Sequence, residues 1–139
     1  MRVSGGMYDA SLLAEPAPVV RRHLEDDLQK ATMAFLDVAL PADAVAFAIP
    51  NGGKRHAREA ARMSGLGLRA GVPDLCVVHR GRAVFIELKA KRGVVSAAQR
   101  EMQRRLIYAG AAVCLCRSVA EVEASLLEAA VHLRARVAA

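Results

Sequence analysis

Three charged residues interrupt two otherwise apolar stretches of the sequence. Asp74 follows a Gly-Val-Pro turn in GVPDL (71–75), and Glu87 and Lys89 stand two apart in VFIELKA (84–90). Side chains alternate across a strand, so an extended 84–90 segment puts Phe85, Glu87 and Lys89 on one face and Val84, Ile86 and Leu88 on the other. If the two stretches pair as a hairpin, the Asp74 carboxylate approaches that of Glu87. Two neighbouring carboxylates repel unless a proton or a cation separates them. Oxygen ligands of this kind suit Mg²⁺ or Mn²⁺, and such an ion holds a scissile phosphate and generates hydroxide from water. The ammonium of Lys89 would orient that water or stabilise the pentavalent phosphate. The bland alternative is a solvated Glu87–Lys89 ion pair, worth little. The apolar run on both sides of the pair argues for a buried sheet, where charges need a reason.

The surrounding sequence supplies elements to position these groups. Apolar spacing predicts a helix from about 20 to 40, with Leu24, Leu28, Ala31, Phe35 and Val38 as its stripe and Pro41 at its end. AVAFAI (44–49) reads as a strand broken by Pro50-Asn51-Gly52-Gly53, followed by a short helix around 55–63 and a glycine-rich loop. DLCVVH (74–79) and AVFIELKA (83–90) form a hairpin across Arg80-Gly81. Ser96-x-x-Gln99 has the capping-box pattern and opens a helix to about Ala109, with Gly110 as its C-terminal cap. AVCLC (112–116) is a further strand, and Ser118-x-x-Glu121 opens a last helix to roughly Arg136. The order predicts an α/β domain with a mixed central sheet and helices on both faces. Residues 1–18, with Gly5-Gly6, Pro16 and Pro18, read as a flexible N-terminal arm, and 19–139 as a single domain.

Composition narrows the partners. The 139 residues are 54% hydrophobic but only 4% aromatic, and the formal net charge is +6. That balance favours polyanions, nucleic acid before an anionic membrane. Cys76, Cys114 and Cys116 lie in apolar runs without Cys-x-x-Cys or Cys/His ligand spacing, which argues against structural zinc and fits a reducing cytosol. No apolar run approaches the roughly 20 residues of a membrane span, and the N-terminus lacks the apolar core of a signal peptide. GLGLRAG does not open a helix directly after a strand, so it is not a dinucleotide fingerprint.

Pro73-Asp74 and Glu87-Leu88-Lys89 resemble the "PD" and "ExK" of the PD-(D/E)xK nucleases, and within them the VRR-NUC domain. The likeness extends over roughly 20–120. EDDLQKATMAFL (25–36) looks like the family's first helix, PNGGKRHAREAARMSGLGLRAGVPDL (50–75) its approach to the aspartate, and SAAQREMQRRLIYAGA (96–111) its helix after the lysine. The resemblance implies a restriction-endonuclease-like fold. It makes Asp74, Glu87 and Glu25 metal-binding acids, with the backbone carbonyl of Leu88 as a further ligand. Lys89 becomes the catalytic lysine, and Gln99 helps arrange the active site. One departure is visible: the middle residue of ExK is Leu88, so the name-giving "VRR" is absent. Its side chain belongs to the core face, where an apolar exchange is harmless. Read without the family, Glu25, Asp26 and Asp27 are solvated acids at a helix start, meeting its dipole. Gln99 is then the third helical residue of a capping box, and one amide would not fully serve both of its roles.

Basic residues flank the proposed site. Asn51, Lys54, Arg55 and Arg58 precede Asp74, and Lys91 and Arg92 follow Lys89; these are the candidate DNA contacts, of the kind that positions a substrate without reading sequence. A generic solvated face is their alternative. The expected activity is Mg²⁺-dependent DNA endonuclease cleavage, with Mn²⁺ also supporting it, against the rival of an inactive nucleic-acid-binding module. No room is left for a separate sequence-reading domain. By resemblance, standalone VRR-NUC nucleases of this size act as dimers that resolve Holliday junctions in a bacterial or phage-infected cytoplasm. A homodimer acting on four-way DNA is therefore expected, with the apolar stripe of the last helix, Val119, Val122, Leu126, Leu127, Ala130 and Val131, divided between the sheet and a second copy.

Overall fold

The two-residue turn at Arg80-Gly81 organises the sheet. Both residues have positive φ, 50° and 78°, the combination whose twist matches a tight hairpin. It joins β2 (Leu75–His79) to β3 (Arg82–Leu88) in an antiparallel pair. The computed structural model describes residues 18–50 and 57–138, in the order α1 (Pro18–Ala39), β1 (Ala44–Ala48), α2 (Ala57–Gly65), β2, β3, α3 (Ala97–Tyr108), β4 (Ala112–Cys116) and α4 (Val119–Glu128). β1 pairs antiparallel with β2, and β4 pairs parallel with β3 after the α3 crossover, giving the strand order β1-β2-β3-β4.

Register divides the sheet into two faces. Leu75 and Val77 of β2, Val84, Ile86 and Leu88 of β3 and Cys116 of β4 are buried on one side with Leu36 of α1, Leu40 just beyond its end, and Val122 and Leu126 of α4. Fully burying one such side chain contributes roughly 1.5–3 kcal/mol, so this face carries most of the stability. The opposite face bears Phe47, Cys76, Phe85 and Val113 in one register row and Glu87 beside Leu115 in the next. It is covered less completely: Val45, Phe47 and Leu115 are exposed.

Two expectations are corrected here. The predicted α1 stripe is rotated from the buried one, since Leu24 and Val38 are exposed while Thr32, Leu36 and Ala39 are buried. The true stripe runs Glu25, Leu28, Thr32, Leu36, Ala39, at spacings of three and four, with a threonine where apolar counting sees a gap. The last helix ends at Glu128, not near Arg136. Ala130 turns to φ 62°, and its N–H and that of Val131 bond back to Leu127 and Leu126, an αL termination. The chain then returns to α1. There the Arg134 N–H bonds Ala39 O at 2.7 Å and its Nε bonds Leu40 O at 2.7 Å, satisfying carbonyls that a helix end leaves unpaired.

Candidate active site

The hairpin register that pairs Leu75 with Ile86 sets Asp74, one step earlier, opposite Glu87, one step later. Pro73 is fully buried, and Asp74 is tied in by its own carbonyl, which accepts from Ile49 N–H at 2.7 Å. One Asp74 carboxylate oxygen, Oδ2, accepts the Leu88 N–H at 2.7 Å. Leu88 thus serves the site through its backbone while its side chain sits in the core at 2% exposure, as the apolar exchange in the motif requires.

Glu87 and Lys89 are buried, at 1% and 9% exposure. That removes the reading of a solvated ion pair. Glu87 Oε1 receives the Gln99 Nε2 at 2.8 Å and stands 3.6 Å from Lys89 Nζ, while Oε2 is buried without a hydrogen-bond partner. An unsatisfied buried oxygen is costly. Burial first, and the facing Asp74 second, push the Glu87 carboxyl up to about 8, against the lowering influence of Lys89. Without a cation, the pair is relieved by keeping a proton on Glu87.

One Gln99 amide reaches both the helix cap and Glu87, because its two ends bond in different directions. Oε1 accepts the Ser96 N–H at 2.9 Å, completing the capping box with Ser96 Oγ and Gln99 N, and Nε2 is left for Glu87. The cap of α3 and the orientation of Glu87 are one structure. Gly71 locks the opposite wall to it: φ is 79°, and a Cβ there would lie 2.2 Å from Ala98 O, so only glycine permits this approach.

Glu25 lies beyond the first turn of α1, so it is not a solvated helix-start acid. It lines the same cleft as Asp74, Glu87, Lys89 and Gln99, a groove of about 1060 Å³. Its Oε1 takes a long hydrogen bond, 3.4 Å, from Ala90 N–H. Among the described residues, no three His, Cys, Asp or Glu side chains close into a ready metal cage; the tight part of the site is the Asp74–Glu87 pair. The far wall, with Met63, Leu66 and Leu68, is apolar, a feature the sequence reading missed because these residues sit in a stretch read for its charges. Arg58, Lys91 and Arg92 are exposed. Asn51, Lys54 and Arg55 lie outside the described residues, as do residues 1–17 of the expected N-terminal arm, whose last residue, Pro18, instead opens α1.

The VRR-NUC domain model matches residues 17–120, a span that contains every residue of this cleft. The chain belongs to the VRR-NUC domain family. A solved VRR-NUC domain protein shares its fold, with a TM-score of 0.56 at 20% identity, covering 76% of this chain and 86% of the other. Comparison with curated proteins finds no match. The family is of nuclease type, and the four-stranded mixed sheet between helices has the restriction-endonuclease-like arrangement expected of it. No described helix is long and apolar enough to cross a membrane.

Proposed function

We propose that this VRR-NUC chain is a metal-dependent endodeoxyribonuclease that hydrolyses DNA phosphodiester bonds at the Asp74–Glu87–Lys89 site. The observation that carries the reading is Asp74 set against a buried Glu87 whose Oε2 has no protein partner. This pair of oxygen donors costs the fold stability and fits a hard divalent cation. Asp74, Glu87 and Glu25 would hold Mg²⁺ or Mn²⁺, with the Leu88 carbonyl as a further oxygen. Bound there, the ion would polarise the scissile phosphate and lower the pKa of a water.

The chain's own groups do the rest. Gln99 fixes the rotation of the Glu87 carboxylate by donating its Nε2 to Glu87 Oε1. Lys89, held beside Glu87 in the same cleft, places its ammonium where charge builds on the phosphoryl oxygens and where an attacking water needs a hydrogen-bond partner. Arg58, Lys91 and Arg92 bind backbone phosphates, as do Lys54, Arg55 and Asn51 in this reading. The preferred substrate is branched DNA, cut by a homodimer, since one small domain with one site cuts one strand and a twofold pair cuts two. Cleavage of linear, flapped and four-way DNA with Mg²⁺, Mn²⁺ or EDTA tests it. Metal-dependent cutting that favours four-way DNA is expected. DNA binding without cutting in either metal would leave only a binding module.

A further inference from the structure

Arg117 stands between the end of β4 and Ser118, the N-cap of α4. Its Nη1 donates to Ala90 O at 2.7 Å and Gly93 O at 2.8 Å, and more loosely to Lys91 O at 3.3 Å. These carbonyls belong to one turn, closed by the Gly93 N–H bonding Ala90 O at 2.8 Å. A single guanidinium nitrogen therefore gathers the oxygens of the segment that directly follows Lys89. Its own backbone is anchored, because the Arg117 N–H meets Glu121 Oε2 at 2.6 Å. The clamp thus extends from the rigid junction of β4 and α4.

The inner side of the turn is a wall of the site. The Ala90 N–H reaches Glu25 Oε1. A Cβ on Gly93 would stand 3.2 Å from Glu25 Oε1 and 3.3 Å from Lys89 Cδ, so the turn packs against both side chains at once. The outer corner carries Lys91 and Arg92, both exposed. One turn therefore braces the acid from α1, backs the lysine after β3 and presents two cations to solvent.

We propose that Arg117 is a positioning residue: by clamping the 90–93 turn it holds Glu25 where its carboxylate can join Asp74 and Glu87 on the metal ion, and backs Lys89 from behind, without touching metal or substrate itself. This rests on the metal-dependent reading above. The rival is a contact that only adds stability. Arg134 supplies the comparison, since its side chain also bonds a carbonyl, Leu40 O at 2.7 Å, at the end of α1 but is not among the residues that line the cleft.

The test is Mg²⁺ binding to the full chain without DNA, by isothermal titration calorimetry, alongside thermal melts. R117M should bind Mg²⁺ about 10–100-fold more weakly, the range found when groups that orient metal ligands are removed. R117K, whose ammonium reaches fewer of the three carbonyls, should fall between R117M and the native chain. G93A, which crowds Glu25 and Lys89 with Arg117 intact, should also bind more weakly. R134M should melt earlier with unchanged Mg²⁺ affinity. Native Mg²⁺ affinity in R117M overturns the proposal, as does an equal loss in R134M; if R117M does not fold, native affinity in R117K overturns it. A native chain that binds neither Mg²⁺ nor Mn²⁺ would instead defeat the metal-dependent reading.

Discussion

Asp74 and Glu87 face each other because they are equidistant from the Arg80-Gly81 turn, one residue beyond the Leu75–Ile86 pair. The spacing of the two acids in sequence is thus a consequence of hairpin symmetry. Asp74→Asn keeps the shape and the acceptor for Leu88 N–H but removes the charge. Cleavage should fall to background while the metal-free protein gains stability, as read by urea denaturation. Lys89→Met should lose roughly 10²–10⁴-fold in rate and retain Mg²⁺ binding. An Asp74→Asn variant that cuts at the native rate would dissolve the site.

The pH response of the metal-free protein follows from Glu87. An unfolded glutamate titrates near 4.5, whereas burial and Asp74 hold the folded group up to about 8. Between those values the folded state binds more protons than the unfolded one, so stability falls as pH rises through the window. Its contribution is complete below 4.5 and lost above 8. Glu87→Gln, which mimics the protonated acid, should flatten this slope and be the more stable protein at alkaline pH. Metal binding needs the ionised form, so Mg²⁺ binding at pH 7 should release protons. Calorimetry in buffers of different ionisation enthalpy measures that release, and a buffer-independent heat would contradict it.

The motif and the strands were legible because their signals are local. Alternation placed Glu87 and Lys89 on one face, the turn chemistry of Arg80-Gly81 set the register, and Ser96-x-x-Gln99 marked the start of α3. The α1 stripe is hidden from hydropathy because its centre is Thr32, a buried polar residue that counts as surface. The end of the last helix is masked in the sequence because Val131 continues its apolar spacing, although Val131 is buried after the helix has already turned. Glu25 and Arg117 reach the site only through tertiary contacts, at sequence separations of 65 and 27 from Ala90, and spacing carries no trace of such encounters.

Salt dependence tests the DNA path. Each phosphate contact contributes about 0.9 to the slope of log affinity against log salt. Replacing Lys91 and Arg92 together by Ala should therefore lower that slope by about two units, measured with Ca²⁺ in place of Mg²⁺ to separate binding from cutting. Arg58→Ala should lower it by about one. An unchanged slope in both variants would move the DNA away from the 90–93 turn and from α2.

The expected dimer has a second apolar surface available to it. Val122, Leu126 and Val131 are buried within the subunit, while Leu127 and Ala130 of the same stripe are exposed, so the last helix offers a second copy only a narrow strip. A broader apolar patch among the described residues lies on the other side of the sheet, where Val45 and Phe47 of β1 and Leu115 of β4 are exposed at 56%, 46% and 40%. Register puts them on the face that also carries Glu87. A twofold contact there would bury the patch and bring two clefts to the same side of the dimer, as paired nicks in four-way DNA require. Light scattering should give about twice the 14.8 kDa of one chain. Phe47→Glu combined with Val45→Lys should yield a monomer that retains the fold and nicks single strands but no longer cuts four-way DNA symmetrically. A double variant that stays dimeric would place the contact elsewhere, and a native chain that is monomeric at micromolar concentration would remove it, leaving the Asp74–Glu87 site untouched.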